Sequence, residues 1–377
     1  MKAAVNISRV IVGSVFIFSG LVKAIDPLGL AYKMQEFFEV WAAEGILKDM
    51  MIWLNGHAAL FSVVMITLEV VLGVALLLGW RTKLVSWLLL LLMLFFTFLT
   101  SYVLFSGKIR ACGCFGDCIP LTPIQTFTKD IILLLLVLLI LFKRKYINPV
   151  FSRNVNFFFL LLSLLAVVGL QRYVFKHLPV KDCLPFKVGN NILELRKMPK
   201  DAIPDKFDYI FEYKKNNETK EFKVNALPDS TWEFVERKQL LIEKGKNNIP
   251  LINDFNLINA SGTDSTEAVL STPVEYYLLF VKDVSILPKG WTGDQRLAVV
   301  KSERGKQVFV VSSQRKITEE RYSTLAVAGK KLNIPVLTCD ATALKTAARN
   351  NITLYLMNGP VVKSKWGGND IEKAIDK

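Results

Sequence analysis

Residues 1–176 read as uncharged apolar runs separated by short polar breaks, whereas residues 177–377 contain no such run. A helix crossing a bilayer needs about 20 apolar residues, and five segments meet that pattern. Leu84–Ser106 carries no ionisable group except Tyr102, Ala58–Trp80 is interrupted only by Glu69, and Asn154–Gln171 is uncharged between Arg153 and Arg172. Val10–Val22 is shorter, but Arg9 and Lys23 flank it, and long basic stems snorkel. Ile131–Phe142 extends backwards to Thr122-Pro123, an N-cap followed by proline at the first helical position. A helix from Pro123 to Phe142 reaches about 30 Å and places Lys129 and Asp130 inside a bundle. The first segment is read as a retained helix rather than a signal peptide. No A-x-A-like site follows Val22, and Asp26-Pro27 comes directly after.

Beyond His177–Val180 the pattern changes to short apolar stretches broken by Asn, Lys and Pro. Phe207–Tyr213 and Thr219–Val224 flank Lys214-Lys215-Asn216-Asn217-Glu218, a hairpin signal. Further on, Tyr276–Val281 and Gln307–Val311 are strand-like, Thr318–Leu332 is helical, Ile334–Thr338 is a strand and Ala341–Arg349 a short helix. Ile352–Met357 and Val361–Trp366 make a hairpin about Asn358-Gly359, before a last helix near Ile371–Ile375. Four stretches follow: a membrane bundle over 1–145, a fifth membrane helix over 146–178, a β-rich linker region over 179–270 and an α/β region over 271–377.

Composition sharpens this picture. Hydrophobic residues make up 52% and charged residues 21%, with mean hydropathy +0.35. Such a balance excludes a disordered chain and an ordinary single soluble domain. The net charge of +14 reads as a lipid and topology signal on a membrane protein, not as a nucleic-acid footprint. With the N-terminus inside, Lys2, Arg9, Arg81, Lys83, Lys143, Arg144, Lys145 and Arg153 share the inner side. The basic residues of the outer loops are offset by Glu36, Glu39, Glu44 and Asp49. Positive charge in short loops stays inside. Five crossings then put the C-terminal region outside, in a bacterium the oxidising periplasm. All five cysteines (Cys112, Cys114, Cys118, Cys183, Cys339) fall on that side.

Three of them stand in Cys112-Gly113-Cys114-Phe115-Gly116-Asp117-Cys118. A bridge between Cys112 and Cys114 closes a very small ring, strained and hence more oxidising than a structural bridge. One reading is a redox-active pair with Cys118 or Cys183 resolving. A second is a structural disulfide pinning the loop. A metal site is the third, although C-x-C-x3-C lacks the usual zinc spacing and no histidine is near. His57 and His177 are the only histidines, and His57, at the outer start of a span, is a weak candidate. Glu69 lies near mid-bilayer, where a carboxylate is expensive. Lys129 is its expected partner, and Asp130 competes for that lysine. The three are a candidate intramembrane polar site, either linked to protons or a quinone or fixing helix register. Gly13 and Gly20 share a face of the first helix with Ser19 beside them, a packing pattern.

Arg9-Val10-Ile11-Val12-Gly13, Phe18-Ser19-Gly20-Leu21-Val22-Lys23 and Asp26-Pro27 resemble the first helix of the DoxX-like superfamily. Cys112-Gly113-Cys114-Phe115-Gly116, followed by Lys129-Asp130 opening an apolar helix, resembles the methylamine utilisation protein MauE branch. The resemblance covers about residues 1–145 and implies a four-helix membrane bundle associated with redox chemistry. It also implies a part in maturing a periplasmic client protein, as in methylamine utilisation, with Cys112 and Cys114 in the redox role. The order βαβ then ββα over residues 271–377 resembles a thioredoxin-like fold that lacks C-x-x-C: after Val308–Val311 stands Ser312-Ser313-Gln314-Arg315, and Ile352 takes the place of a proline. The fold class expected is therefore a helical membrane bundle with a periplasmic α/β thioredoxin-like domain. The function expected is a membrane thiol–disulfide partner, with a quinone or a protein as electron acceptor. The alternative is a non-enzymatic accessory subunit whose outer domain is a binding platform or a cap.

Overall fold

All five apolar segments are long helices in the computed structural model, which describes residues 1–377 apart from 110–111, 217, 244, 288–305, 324–325, 328–329, 332 and 376–377. They are α1 (Lys2–Ala24), α4 (Ala58–Leu78), α5 (Thr82–Ser106), α6 (Pro123–Lys143) and α7 (Arg153–Lys176). Two shorter helices, α2 (Pro27–Ala43) and α3 (Lys48–Gly56), join α1 to α4. The chain is a multi-pass membrane protein followed by a mixed α/β region.

Local chemistry sets the helix starts nearest the cysteine loop. Thr122 accepts from the Gln125 N–H at 3.3 Å, and the Gln125 side chain accepts from the Thr122 N–H at 3.0 Å, a capping box at α6. Asp26 accepts from the Gly29 N–H at 3.2 Å, with Pro27 opening α2. The bundle core rests on close approach of α1 and α4. A Cβ on Gly13 would lie 2.6 Å from Leu77 Cδ2, and one on Gly73 only 2.8 Å from the Gly13 carbonyl oxygen. A Cβ on Gly20 would meet Val70 at 2.6 Å and Glu69 Cβ at 3.2 Å. Small residues thus bring α1 directly against Glu69. Phe157, Phe158, Leu161 and Leu165 of α7 stay exposed, toward the lipid.

Outside the bundle, β1 (Lys206–Lys215), β2 (Glu218–Lys223) and β3 (Glu233–Glu243) form an antiparallel sheet in the order β2-β1-β3. A second sheet contains β4 (Glu275–Val281), β5 (Gln307–Ser312), β8 (Val336–Thr338), β9 (Ile352–Asn358) and β10 (Val361–Gly367). Its order is β10-β9-β4-β5-β8. Strand β4 is parallel to β5 and antiparallel to β9. Its side chains alternate into two cores. Tyr276, Leu278 and Phe280 pack with Tyr355 and Leu344, and Tyr277, Leu279 and Val281 pack with Val310 and Tyr322. A strand buried on both faces reads as a continuous apolar run, as Tyr276–Val281 does. Phe186, Ile192, Phe255 and Leu257 join the first core.

This topology is compatible with a thioredoxin-like fold, with two corrections. The helix expected over Thr318–Leu332 runs only Arg315–Ser323, and Ala326–Val327 (β6) pairs with Lys330–Lys331 (β7). Residues 324–325, 328–329 and 332 of that stretch lie outside the described residues. The strand with a parallel neighbour on one side and an antiparallel one on the other is β4, not β5. The loop after β4, Lys282-Asp283-Val284-Ser285, lacks cysteine, as does Ser312-Ser313-Gln314-Arg315 after β5.

Candidate functional site

The loop between α5 and α6 hangs over the open end of the bundle. Gly113 and Gly116 adopt positive φ, 71° and 60°, and the Gly116 N–H donates to the Gly113 carbonyl at 2.9 Å. That turn holds Cys112 and Cys114 over a small cavity of about 40 Å³, room for one or a few waters. Ser19, Lys23, Glu69, Lys129 and Asp130 share the cavity wall with both cysteines. The two thiols are unbridged and electrostatically coupled to each other. The neighbouring Cys112 thiol lowers Cys114, aided by the Lys129 and Lys23 charges against the effect of burial. Cys114 in turn raises Cys112 well above an ordinary thiol, and burial adds to the rise. One sulfur is thereby poised as nucleophile and the other keeps its proton.

Two buried ion pairs lie beneath. The expected Glu69–Lys129 pair does not form. Glu69, 1% exposed, pairs with Lys23, 4% exposed. Ser19 Oγ lies 3.0 Å from Glu69 Oε2 and 3.1 Å from the Cys114 carbonyl oxygen. Lys129 instead bonds Asp130 at 2.6 Å, and Thr100 donates to the other Asp130 oxygen at 3.0 Å. The reason is geometric. Lys23 is on α1, which the glycine contacts press onto α4, so the lysine turns inward to the carboxylate rather than snorkelling. Lys129 has its own carboxylate one residue away and rests 5.0 Å from the Phe115 ring centroid. Each charge is thus paired within its own helix pair or helix.

Cys118 and Cys183 form a disulfide, joining the loop to the segment after α7. Both line a second cavity, of about 20 Å³, which shares Leu30, Lys33 and Gly113 with the first. Cys339 lies apart in the outer core, its thiol pushed up to about 12 by burial. His57 stacks on Trp53 at 4.4 Å and His177 bonds Asp370 at 2.6 Å, both outside the site. Among the described residues, no group of three or more His, Cys, Asp or Glu side chains could hold a metal.

Sequence reasoning missed the far edge of the site. Arg349, after the helix Ala341–Ala347, donates to Asp26 at 2.7 Å and also bonds Asp117 of the cysteine loop. Lys282 donates to the Tyr32 hydroxyl and to the Arg349 carbonyl, both at 2.6 Å. Lys282, Lys345 and Arg349 surround the Tyr32 ring at 5.3, 5.4 and 5.5 Å from its centroid. Burial pushes the Asp26 carboxyl up, while Arg349 pulls it back down. The loop end of the five-stranded sheet therefore docks on α2 and on the cysteine loop. Asp26-Pro27, a cap followed by proline, was the legible hint that a helix begins there.

Residues 1–143 match the family described as methylamine utilisation protein MauE, and residues 207–244, which span the three-stranded sheet, match a domain of unknown function, DUF8463. A protein from Flavobacterium psychrophilum named Protein TlpB is 31% identical over 137 residues, which are 36% of this chain and 35% of that relative. The chain thus spans about a third of the length of the curated relative it matches. No solved structure matches the chain. The helical bundle and its cysteine loop, residues 1–143, are a MauE family domain.

Proposed function

We propose that this chain is an inner-membrane thiol–disulfide exchange protein of MauE type. Its N-terminus is cytoplasmic, and its outer α/β domain is periplasmic. The observation that carries this reading is the unbridged Cys112–Cys114 pair, which shares one cavity with Lys23, Glu69, Lys129 and Asp130. In the reductive direction the Cys114 thiolate attacks a partner protein's disulfide, forming a mixed disulfide and releasing one partner thiolate, which takes up a proton. Cys112 then loses its proton and displaces the second partner sulfur. The products are a Cys112–Cys114 disulfide and a partner dithiol, with two electrons transferred to the partner. The strained ring of the oxidised pair favours the reverse direction, oxidation of a partner dithiol. Lys129 and Lys23 hold positive charge near Cys114, and Glu69, Ser19 and Asp130 keep those lysines in place.

In the exchange step the acceptor is a protein thiol, and no step passes through a quinone. The client is a periplasmic protein thiol, as in methylamine-utilisation maturation. The competing reading is an accessory subunit with a structural bridge, and the Cys118–Cys183 disulfide tying the outer segment to the loop favours it. Alkylation trapping in intact cells, with and without a mild reductant, separates the two. Cycling of Cys112 and Cys114 supports exchange, and a pair that never changes state leaves only the accessory reading.

A further inference from the structure

Four half-buried cysteines meet at one face of the membrane domain, two as thiols and two as a bridge. Only Phe115, Gly116 and Asp117 separate Cys114 from Cys118. The Gly113–Gly116 turn folds this stretch back on itself, and Gly116 has the backbone freedom to let it swing. The two cavities that hold the pairs share Leu30, Lys33 and Gly113. The Lys33 stem lies over Gly113, where an added Cβ would meet Lys33 Cγ at 3.2 Å. The wall common to the two cavities is therefore Leu30, the flexible Lys33 side chain and Gly113.

We propose that Cys118–Cys183 is a second redox pair that exchanges disulfides internally with Cys112–Cys114. This deepens the exchange reading above and rests on it. The step needs no outside reagent. With the inner pair oxidised and the outer pair reduced, the Cys118 thiolate attacks Cys114, the S–S bond of the small ring breaks, and the Cys112 sulfur leaves and is protonated. The Cys183 thiol then loses its proton and displaces Cys114 from Cys118. The products are Cys112 and Cys114 thiols and a Cys118–Cys183 disulfide, so two electrons have passed from the outer pair to the inner one. Relief of the small ring drives the transfer in this direction, since the outer bridge spans 65 residues and carries no such ring strain. The state described here, inner pair reduced and outer pair bridged, is the product side of that equilibrium. The outer bridge opens beside the docked domain, where Asp117 is held by Arg349 and Asp182 by Lys365 at 2.6 Å. That placement sets Cys118–Cys183 on the side of the outer domain.

The test uses the full chain in nanodiscs, equilibrated in glutathione redox buffers, acid-quenched, alkylated and mapped by mass spectrometry. Two variants trap the exchange intermediate. In Cys183→Ser the freed Cys118 should appear bridged to Cys114. In Cys112→Ser, which keeps the native outer bridge and so guards against a folding artefact, a fraction of molecules should carry Cys114–Cys118 with a free Cys183. In the wild type, oxidation by one two-electron equivalent should place at least tenfold more disulfide at Cys118–Cys183 than at Cys112–Cys114. Absence of any Cys114–Cys118 bridge in both variants, while Cys112 and Cys114 still titrate with glutathione in the wild type, overturns the relay and leaves the exchange reading standing. An inner pair that never oxidises overturns both.

Discussion

Replacing Lys282 with methionine isolates the energetics by which the outer domain docks on the membrane domain. The Lys282 amine is lowered to about 7, first by burial and then by the neighbouring Arg349 and Lys345 charges. In the open state it returns to the ordinary value of 10.5. Between these values the docked state binds fewer protons than the open one, so docking strengthens as pH rises from 7 toward 10.5 and is insensitive to this group below 7. From pH 7 to pH 9 the linkage amounts to about 50-fold in the opening equilibrium, or about 2.3 kcal/mol. Tyr32, raised to about 12, keeps its proton throughout. Asp26, held above the ordinary carboxylate range by burial, contributes the opposite slope, lost as pH rises through its docked value. The measurement therefore belongs above pH 7. Hydrogen exchange of residues 341–351 in nanodiscs at pH 7, 8 and 9, corrected for intrinsic base catalysis, reads the opening equilibrium. Lys282→Met keeps the apolar stem and removes the ammonium, so its protection should be higher at pH 7 and nearly flat to pH 9. Equal slopes in the two proteins would refute the assignment of the docking penalty to this amine.

Two further outcomes follow from the bundle. Glu69→Gln leaves the Lys23 ammonium buried without its carboxylate, a loss of about 3–5 kcal/mol visible as a lower melting temperature in detergent; Glu69→Gln combined with Lys23→Met should recover most of it. Gly73→Val drives a side chain into the Gly13 carbonyl and Ile17 and should cost about 1–3 kcal/mol, with faster alkylation of Cys114 because Ser19 and Lys23 move away with α1.

Much of the candidate site was legible because its chemistry is local. Cys112, Gly113, Cys114 and Gly116 sit on one short loop, and the helices on either side announce themselves by run length and by the Thr122-Pro123 cap. Glu69, Lys129 and Asp130 stood out because a charge in an apolar run is rare enough to need a reason. Depth along a helix located them correctly at one cavity. Depth alone, however, said nothing of rotation about the helix axis, and so it paired Glu69 with Lys129 instead of Lys23. Arg349 and Lys282 could not have been found, since each is an ordinary basic residue until Asp26, Asp117 and Tyr32 are brought against it from more than 200 positions away.

By itself the sequence determined the five spans, the membrane-then-α/β order, the hairpin about Asn358-Gly359 and the presence of a thiol cluster, all consequences of periodicity, run length and turn chemistry acting within a few residues. Only the tertiary structure decided which sulfurs are joined, which charges neutralise one another, and which strand of the outer sheet lies at its centre. Those outcomes depend on helix rotation and sheet order, which glycine contacts between α1 and α4 and two-sided burial of β4 impose on segments far apart in the chain.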